Sequence, residues 1–214
     1  MRPFPVEPGL RRTGPLRLYL RSRALPGALA ALVCTAAFGA WAARWLVSLP
    51  DFDHTARLPV VVFGPLLAAA AIGTGLYAPC DELDRTAVRA WWPRRLVHLL
   101  APTALAAVLF ALAVPGHTEA FGPPAAVRNM LGLTGVTAGA AALVGARLSW
   151  LPPAFFVGTV YLAAPSRPGG AAQWWAWVMQ PGPQTGAWTV SLGAFAAGSG
   201  LYAWRGARRT AAES

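Results

Sequence analysis

The sequence predicts an all-α protein, a polytopic bundle of membrane-spanning helices. Of its 214 residues, 56% are hydrophobic and only 12% are charged. Soluble domains usually carry about twice that charged fraction, because polar residues must cover their core. The apolar residues also gather in runs of membrane-crossing length. We therefore expect lipid to solvate most of the chain, and lipids to be its first partners.

Six apolar runs predict six spans. A span needs about 20 residues, each rising 1.5 Å, to cross roughly 30 Å of hydrocarbon. The predicted spans are approximately 25–49, 58–78, 96–114, 125–148, 151–164 and 186–204, which together make one bundle over 25–204. The fifth run is short and begins at Pro152 and Pro153. A re-entrant segment buried against protein is therefore the alternative for that run.

The distribution of charge predicts the orientation. The net charge is +10, and all 18 basic residues are arginine. Basic residues of short loops stay on the cytoplasmic side, and six spans with a cytoplasmic N-terminus put 14 of the 18 arginines there. With five spans the basic tail would lie outside and weaken this bias. The other four are Arg44, Arg57, Arg128 and Arg167, which we expect near outer span ends, snorkelling towards the headgroups.

Several classes of function are disfavoured by composition. The chain has no lysine, so it cannot form a nucleotide-binding P-loop. Its arginines lie in short loops between apolar runs, which differs from the basic, aromatic-interleaved face of a nucleic-acid-binding protein. Of the three histidines only His98 falls within a span, so a paired-histidine haem site is not expected. We predict no catalytic residues, no metal site and no cofactor.

The loop after the second span is predicted to contain a short amphipathic helix from Asp81 to Trp91. Asp81 can cap its N-terminus, and Asp81 and Arg85 form an acid-to-base pair one turn apart. Pro93 ends it, because the residue before a proline disfavours helix. The helix can simply join two spans at the inner surface, or it can dock a cytoplasmic partner. A similar interfacial helix is predicted within the cytoplasmic N-terminal segment, 1–24.

Aromatic and small residues add two further expectations. Trp174, Trp175 and Trp177 fall between spans five and six, where indole rings anchor a chain at the outer headgroup level. An aromatic ligand box is the alternative for this cluster. Gly135 and Gly139 form a GxxxG pair, which predicts close helix packing within the bundle, with a dimer seam as the alternative.

This architecture resembles the permease subunit of ABC transporters of the type-2 exporter class. The shared pattern is an amphipathic N-terminal helix, six spans, a cytoplasmic helix between spans two and three, and an outer membrane-dipping segment before span six. The stretches DELDRTAVRAWWPRRLVHLL and RNMLGLTG are also similar to those of multi-span membrane proteins from high-GC actinobacteria. The present chain is shorter and has little outer structure.

The resemblance implies a function and its partners. The cytoplasmic helix would couple to a separate ATPase, and its docking residues would be Asp81, Glu82, Asp84, Arg85 and Arg89. The outer segment would be 171–180, and 205–214 a cytoplasmic tail. The permease would need a second copy or a paralogue to form a path. The alternative is a non-transporting accessory or scaffold subunit of a membrane complex. Either protein would be a multi-pass protein of the cell membrane with both termini cytoplasmic.

Overall fold

The computed structural model describes residues 25–48, 57–76, 92–116, 118–165 and 168–208. The regular elements of this part of the chain are all helices, without a strand, which confirms the all-α prediction. The α-helices are α1 (Leu25–Ser48), α2 (Leu58–Gly75), α3 (Trp92–Ala113), α4 (Pro123–Val144), α5 (Leu151–Ala163), α6 (Ala172–Trp175) and α7 (Thr185–Arg205). Two single turns of 3-10 helix, Ala146–Leu148 and Trp177–Met179, lie between them.

Three helices, α2, α3 and α4, are long and apolar enough to cross a membrane. Membrane association is therefore supported. Among the described residues, three helices of the six predicted spans have the length and apolarity of a crossing helix. Helix α5 has 13 residues and is about 20 Å long at 1.5 Å per residue, so it cannot cross the hydrocarbon alone. Helix α7 has 21 residues, which is long enough, but it carries more polar side chains than α2, α3 or α4.

Hydrogen bonds between helix ends show which helices begin at the same end of the bundle. At one end, Arg57 donates to the Pro115 carbonyl at 3.1 Å. At the other end, His98 Nε2 lies 3.1 Å from the Gly75 carbonyl oxygen, and Arg208 donates to the Leu143 carbonyl at 3.1 Å. We call these the Arg57 end and the Arg95 end, the second after the arginine in the first turn of α3. Helices α2, α4 and α7 all begin at the Arg57 end.

Helix α4 is the centre of the bundle and is buried on nearly every side, as expected of a helix that lacks a polar face. Its most extensive interface is with α7. Where the two helices cross, a Cβ at Gly135 would lie 2.5 Å from the Ala194 carbonyl oxygen. The backbones touch there because neither side has a side chain in the way. Close packing within the bundle, predicted from the GxxxG pair, is confirmed.

The surrounding helices expose large apolar side chains. Phe38 of α1, Leu112 of α3 and Leu162 of α5 are all well exposed. Together with the other exposed large apolar side chains they give the described helices an apolar outer surface, which is typical of contact with membrane or with another protein. The bundle is therefore polar inside at selected points and apolar outside, and the polar interior is where the candidate site lies.

Candidate functional site: a polar centre around Arg128

The polar centre is built on two consecutive residues of α4, Arg128 and Asn129, both fully buried. Arg128 Nη2 donates to the Gln180 carbonyl at 2.6 Å, and Nη1 donates to the Pro181 carbonyl at 2.8 Å. Nε and Nη2 both reach Asn129 Oδ1, at 3.2 and 3.0 Å. All these acceptors are neutral oxygens. A buried cation is therefore stabilised by dipoles instead of by a carboxylate.

The carbonyls belong to an irregular stretch, 168–184, which we call the returning segment because it enters the bundle between α5 and α7. Irregular backbone that is buried away from water has to find hydrogen-bond partners within the protein. Arg128 provides them, because one guanidinium carries five N–H donors in a planar fork. Charge-assisted bonds of this kind are also stronger than neutral ones. Arg128 thus fastens the returning segment to α4.

Asn129 extends the same arrangement to α2. Its Nδ2 donates to the Val61 carbonyl at 3.0 Å and to the Val178 carbonyl at 2.7 Å. The Val61 carbonyl needs a partner because Pro65, four residues later in α2, has no N–H to donate to it. The asparagine amide takes the place of that missing donor. It therefore joins α2, α4 and the returning segment in one hydrogen-bonded unit.

The returning segment is also held by its own glutamines. Buried Gln180 accepts from the Gly169 N–H at 2.7 Å, and Gln173 accepts from the Gly186 N–H at 3.2 Å. The Gly182 N–H reaches back to the Ala120 carbonyl at 2.8 Å. On the α7 side, Ser191 Oγ donates to the Arg128 carbonyl at 2.5 Å. Backbone groups that would otherwise be buried without partners are satisfied.

The three tryptophans predicted at the outer surface have two different environments. Trp174 and Trp175 are exposed by 53% and 43%, as an interfacial anchor requires, whereas Trp177 is exposed by only 3%. Trp177 stacks on Phe156 with ring centroids 5.6 Å apart. Its ring lies against Gly132, where a Cβ would clash with the indole. Trp177 is therefore a core residue of the bundle and not a surface anchor.

This difference between neighbouring tryptophans can be measured. We expect Trp177→Ala to lower the free energy of unfolding by about 3–5 kcal/mol, the usual cost of truncating a buried large aromatic side chain. Trp175→Ala is the matched control, and we expect a change of about 0.5 kcal/mol or less. Unfolding in detergent micelles, followed by loss of helical circular dichroism, gives both values. Equal losses in the two variants would contradict a buried Trp177 beside an exposed Trp175.

The arginines predicted at outer span ends also differ. Arg44 is exposed, as snorkelling requires, but Arg57 is mostly buried and donates to Pro115. For Arg128 the snorkelling prediction is wrong, because the side chain turns into the bundle to satisfy carbonyls that no helix pairs. Arg167 lies outside the described residues. In the sequence, Asn129 beside Arg128 and Pro65, which has no N–H, indicate a polar contact within the bundle, but they do not indicate that Arg128 turns inward.

The predicted docking residues lie outside the described residues, as do the predicted helix in 1–24 and positions 209–214 of the tail. They are Asp81, Glu82, Asp84, Arg85 and Arg89. Their docking role therefore stays a prediction. Within the described ranges, no three His, Cys, Asp or Glu side chains form a group that could hold a metal ion.

The polar centre holds α4 and the returning segment together by hydrogen bonds. It holds one cation, one amide and a set of backbone carbonyls in fixed positions near the Arg57 end, and the acceptors of the Arg128 guanidinium are all carbonyl or amide oxygens. Comparison with known proteins gives no match, whether to a family model, to a curated protein or to a solved structure.

Proposed function

We propose that the chain is the membrane-spanning permease subunit of an ABC-type exporter and docks a separate cytoplasmic ATPase. The observation that carries the proposal is the returning segment, which follows the fifth predicted span and is fastened into the bundle by Arg128 and Asn129. The exporter family that the sequence resembles has a membrane-dipping outer segment at this place in the chain. In the proposal, the returning segment closes the outer end of a translocation path.

The distribution of arginines supports the orientation that the proposal needs. The Arg95 end carries Arg94, Arg95, Arg147, Arg205 and Arg208. At the Arg57 end, Arg57 and Arg128 turn inward and donate to carbonyls, and Arg44 is the exposed arginine among the described residues there. Positive charge at loops favours the cytoplasmic side, so we assign the Arg95 end to the cytoplasm. The docking helix predicted at 81–91 and both termini would then be cytoplasmic.

Six spans are part of the proposal. Helix α5 is about 10 Å too short to cross roughly 30 Å of hydrocarbon, but the returning segment follows it directly and its backbone is satisfied inside the bundle. The two together would make the fifth crossing. The exposed apolar faces of α1 and α3 would contact lipid or a second permease copy or paralogue, which completes the path.

Co-purification tests the docking role. Tagged protein extracted from native membranes into lipid discs is expected to bring down an ATPase in comparable amount. Removing the three charges of Asp81, Asp84 and Arg85 (D81N, D84N, R85Q) is expected to reduce that recovery at least tenfold. Each charge-assisted hydrogen bond contributes about 1.5–3 kcal/mol, and about 1.4 kcal/mol is already tenfold in affinity.

Glu119→Gln is the matched control, because it removes a charge from an exposed residue at the opposite end and should leave recovery unchanged. The amount of each variant in the membrane fraction checks insertion. Full recovery of the ATPase by the triple variant would refute the docking role. Purification without any ATPase would refute the permease proposal and support the accessory or scaffold subunit instead.

A further inference from the structure

A cavity of about 430 Å³ lies between α3 and α7 at the Arg95 end. It is lined by Trp92, Arg95, Gly200, Ala203 and Trp204. It is a groove that is open to the surroundings and not an enclosed chamber. The cavity is far from the polar centre, since it lies at the opposite end of α7.

The shape of the cavity follows from residue spacing. Trp92 and Arg95 are three residues apart on α3, and Gly200, Ala203 and Trp204 share one face of α7, because positions three and four apart are neighbours on a helix. The two small residues leave room between the helices, and a Cβ at Gly200 would meet no atom within 4 Å. The exposed indoles of Trp92 and Trp204 form the walls.

The charge beside the cavity is positive. Arg95 Nη1 is 3.5 Å from the Ala203 carbonyl oxygen, and the side chain makes a further contact as well. A guanidinium has five donors in a planar fork and can bind several acceptors at once, a phosphate among them. The Arg205 guanidinium lies 5.1 Å from the centre of the Trp204 ring. The segment before Trp92 in the sequence has three acids and two arginines, a net charge of −1, against five arginines at the Arg95 end. The end is therefore net basic.

We propose that this cavity binds one anionic phospholipid of the inner leaflet. The phosphate would lie against Arg95 and Arg205, and the glycerol and first acyl methylenes between the two indoles. Tryptophan prefers the headgroup level, where its ring is apolar and its N–H is polar, and basic pockets between membrane helices on the cytoplasmic side select anionic headgroups. The inference rests on the proposed membrane orientation, and it does not require transport or an ATPase.

Lipid binding to the purified full-length chain tests the inference. Native mass spectrometry of the protein in detergent, titrated with phosphatidylglycerol or with phosphatidylcholine, counts bound lipids and gives their affinities. We expect one phosphatidylglycerol to bind at least ten times more tightly than phosphatidylcholine. Arg95→Gln should abolish this preference, and Arg147→Gln, an exposed arginine at the same end, should keep it.

A second pair of variants tests the volume of the cavity without changing any charge. Gly200→Leu fills the cavity and is expected to weaken phosphatidylglycerol binding at least tenfold. Gly193→Leu is its control, on the same helix and also with nothing within 4 Å of the added Cβ. Equal affinity for the two lipids would overturn the proposal, as would equal weakening by a variant and its control. Displacement of the lipid by inorganic phosphate alone would also overturn it. An intact lipid preference in a protein that recruits no ATPase would refute only the permease role.

Discussion

Arg128→Met is expected to lower the free energy of unfolding by about 3 kcal/mol. The substitution leaves the Gln180 carbonyl, the Pro181 carbonyl and Asn129 Oδ1 buried without the donor that now binds them. Each buried unsatisfied group costs about 1–3 kcal/mol. Removing a desolvated cation returns part of that energy, but three orphaned acceptors outweigh it. The returning segment should be the first part of the fold to open.

Two measurements check this result. Unfolding in micelles gives the loss of stability, and hydrogen exchange over 168–184 should become faster than in the wild type. Arg44→Met is the matched control, because Arg44 lies in α1 near the same end and is exposed; we expect a change of about 0.5 kcal/mol or less. If the two variants were equally stable and equally protected, Arg128 would not fasten the segment.

Gly135→Ala is expected to cost about 2–3 kcal/mol, the upper part of the range for overpacking a close contact. The added methyl group would lie 2.5 Å from the Ala194 carbonyl oxygen. Backbone of a long helix cannot rotate away as a flexible side chain can, so α4 and α7 have to separate. Because this is the most extensive interface between the described helices, the separation weakens the packing along both helices.

Gly193→Ala provides the comparison for Gly135→Ala. Gly193 is in α7, the helix that Gly135 of α4 packs against, but a Cβ there meets nothing within 4 Å. Alanine is favoured over glycine within a helix by about 1 kcal/mol, so stability should be unchanged or higher. Thermal unfolding of the two variants in the same detergent separates the effects. A loss in Gly193→Ala as large as that in Gly135→Ala would show that both glycines are needed for some other reason than the helix crossing.

The helices could be predicted from the sequence because their ends are marked locally. Apolar runs in this chain are bounded by prolines and glycines, and proline is favoured in the first turn of a helix, as in α2 at Pro59 and α4 at Pro123. Such signals depend only on neighbouring residues. The predicted segment 58–78 accordingly contains α2, which begins at Leu58 and ends at Gly75.

The polar centre could not be predicted in the same way. An arginine near a span end satisfies either of two environments, the headgroups or a buried set of carbonyls, and its own neighbours do not distinguish them. Helix α4 has small or apolar residues around its whole circumference, so no polar stripe indicates which side Arg128 faces. The deciding groups lie 52 and 53 residues further along the chain, in a segment whose composition predicts only a loop.

The separation between Arg128 and its acceptors has a consequence for biosynthesis. The guanidinium emerges from the ribosome 52 residues before Gln180, and a charged side chain at membrane depth is costly until it is paired. Nascent α4 therefore has to stay in contact with water or with the insertion machinery while α5 and the returning segment are made. Its final release into lipid is therefore expected to follow the synthesis of Gln180 and Pro181, whose carbonyls bind the guanidinium.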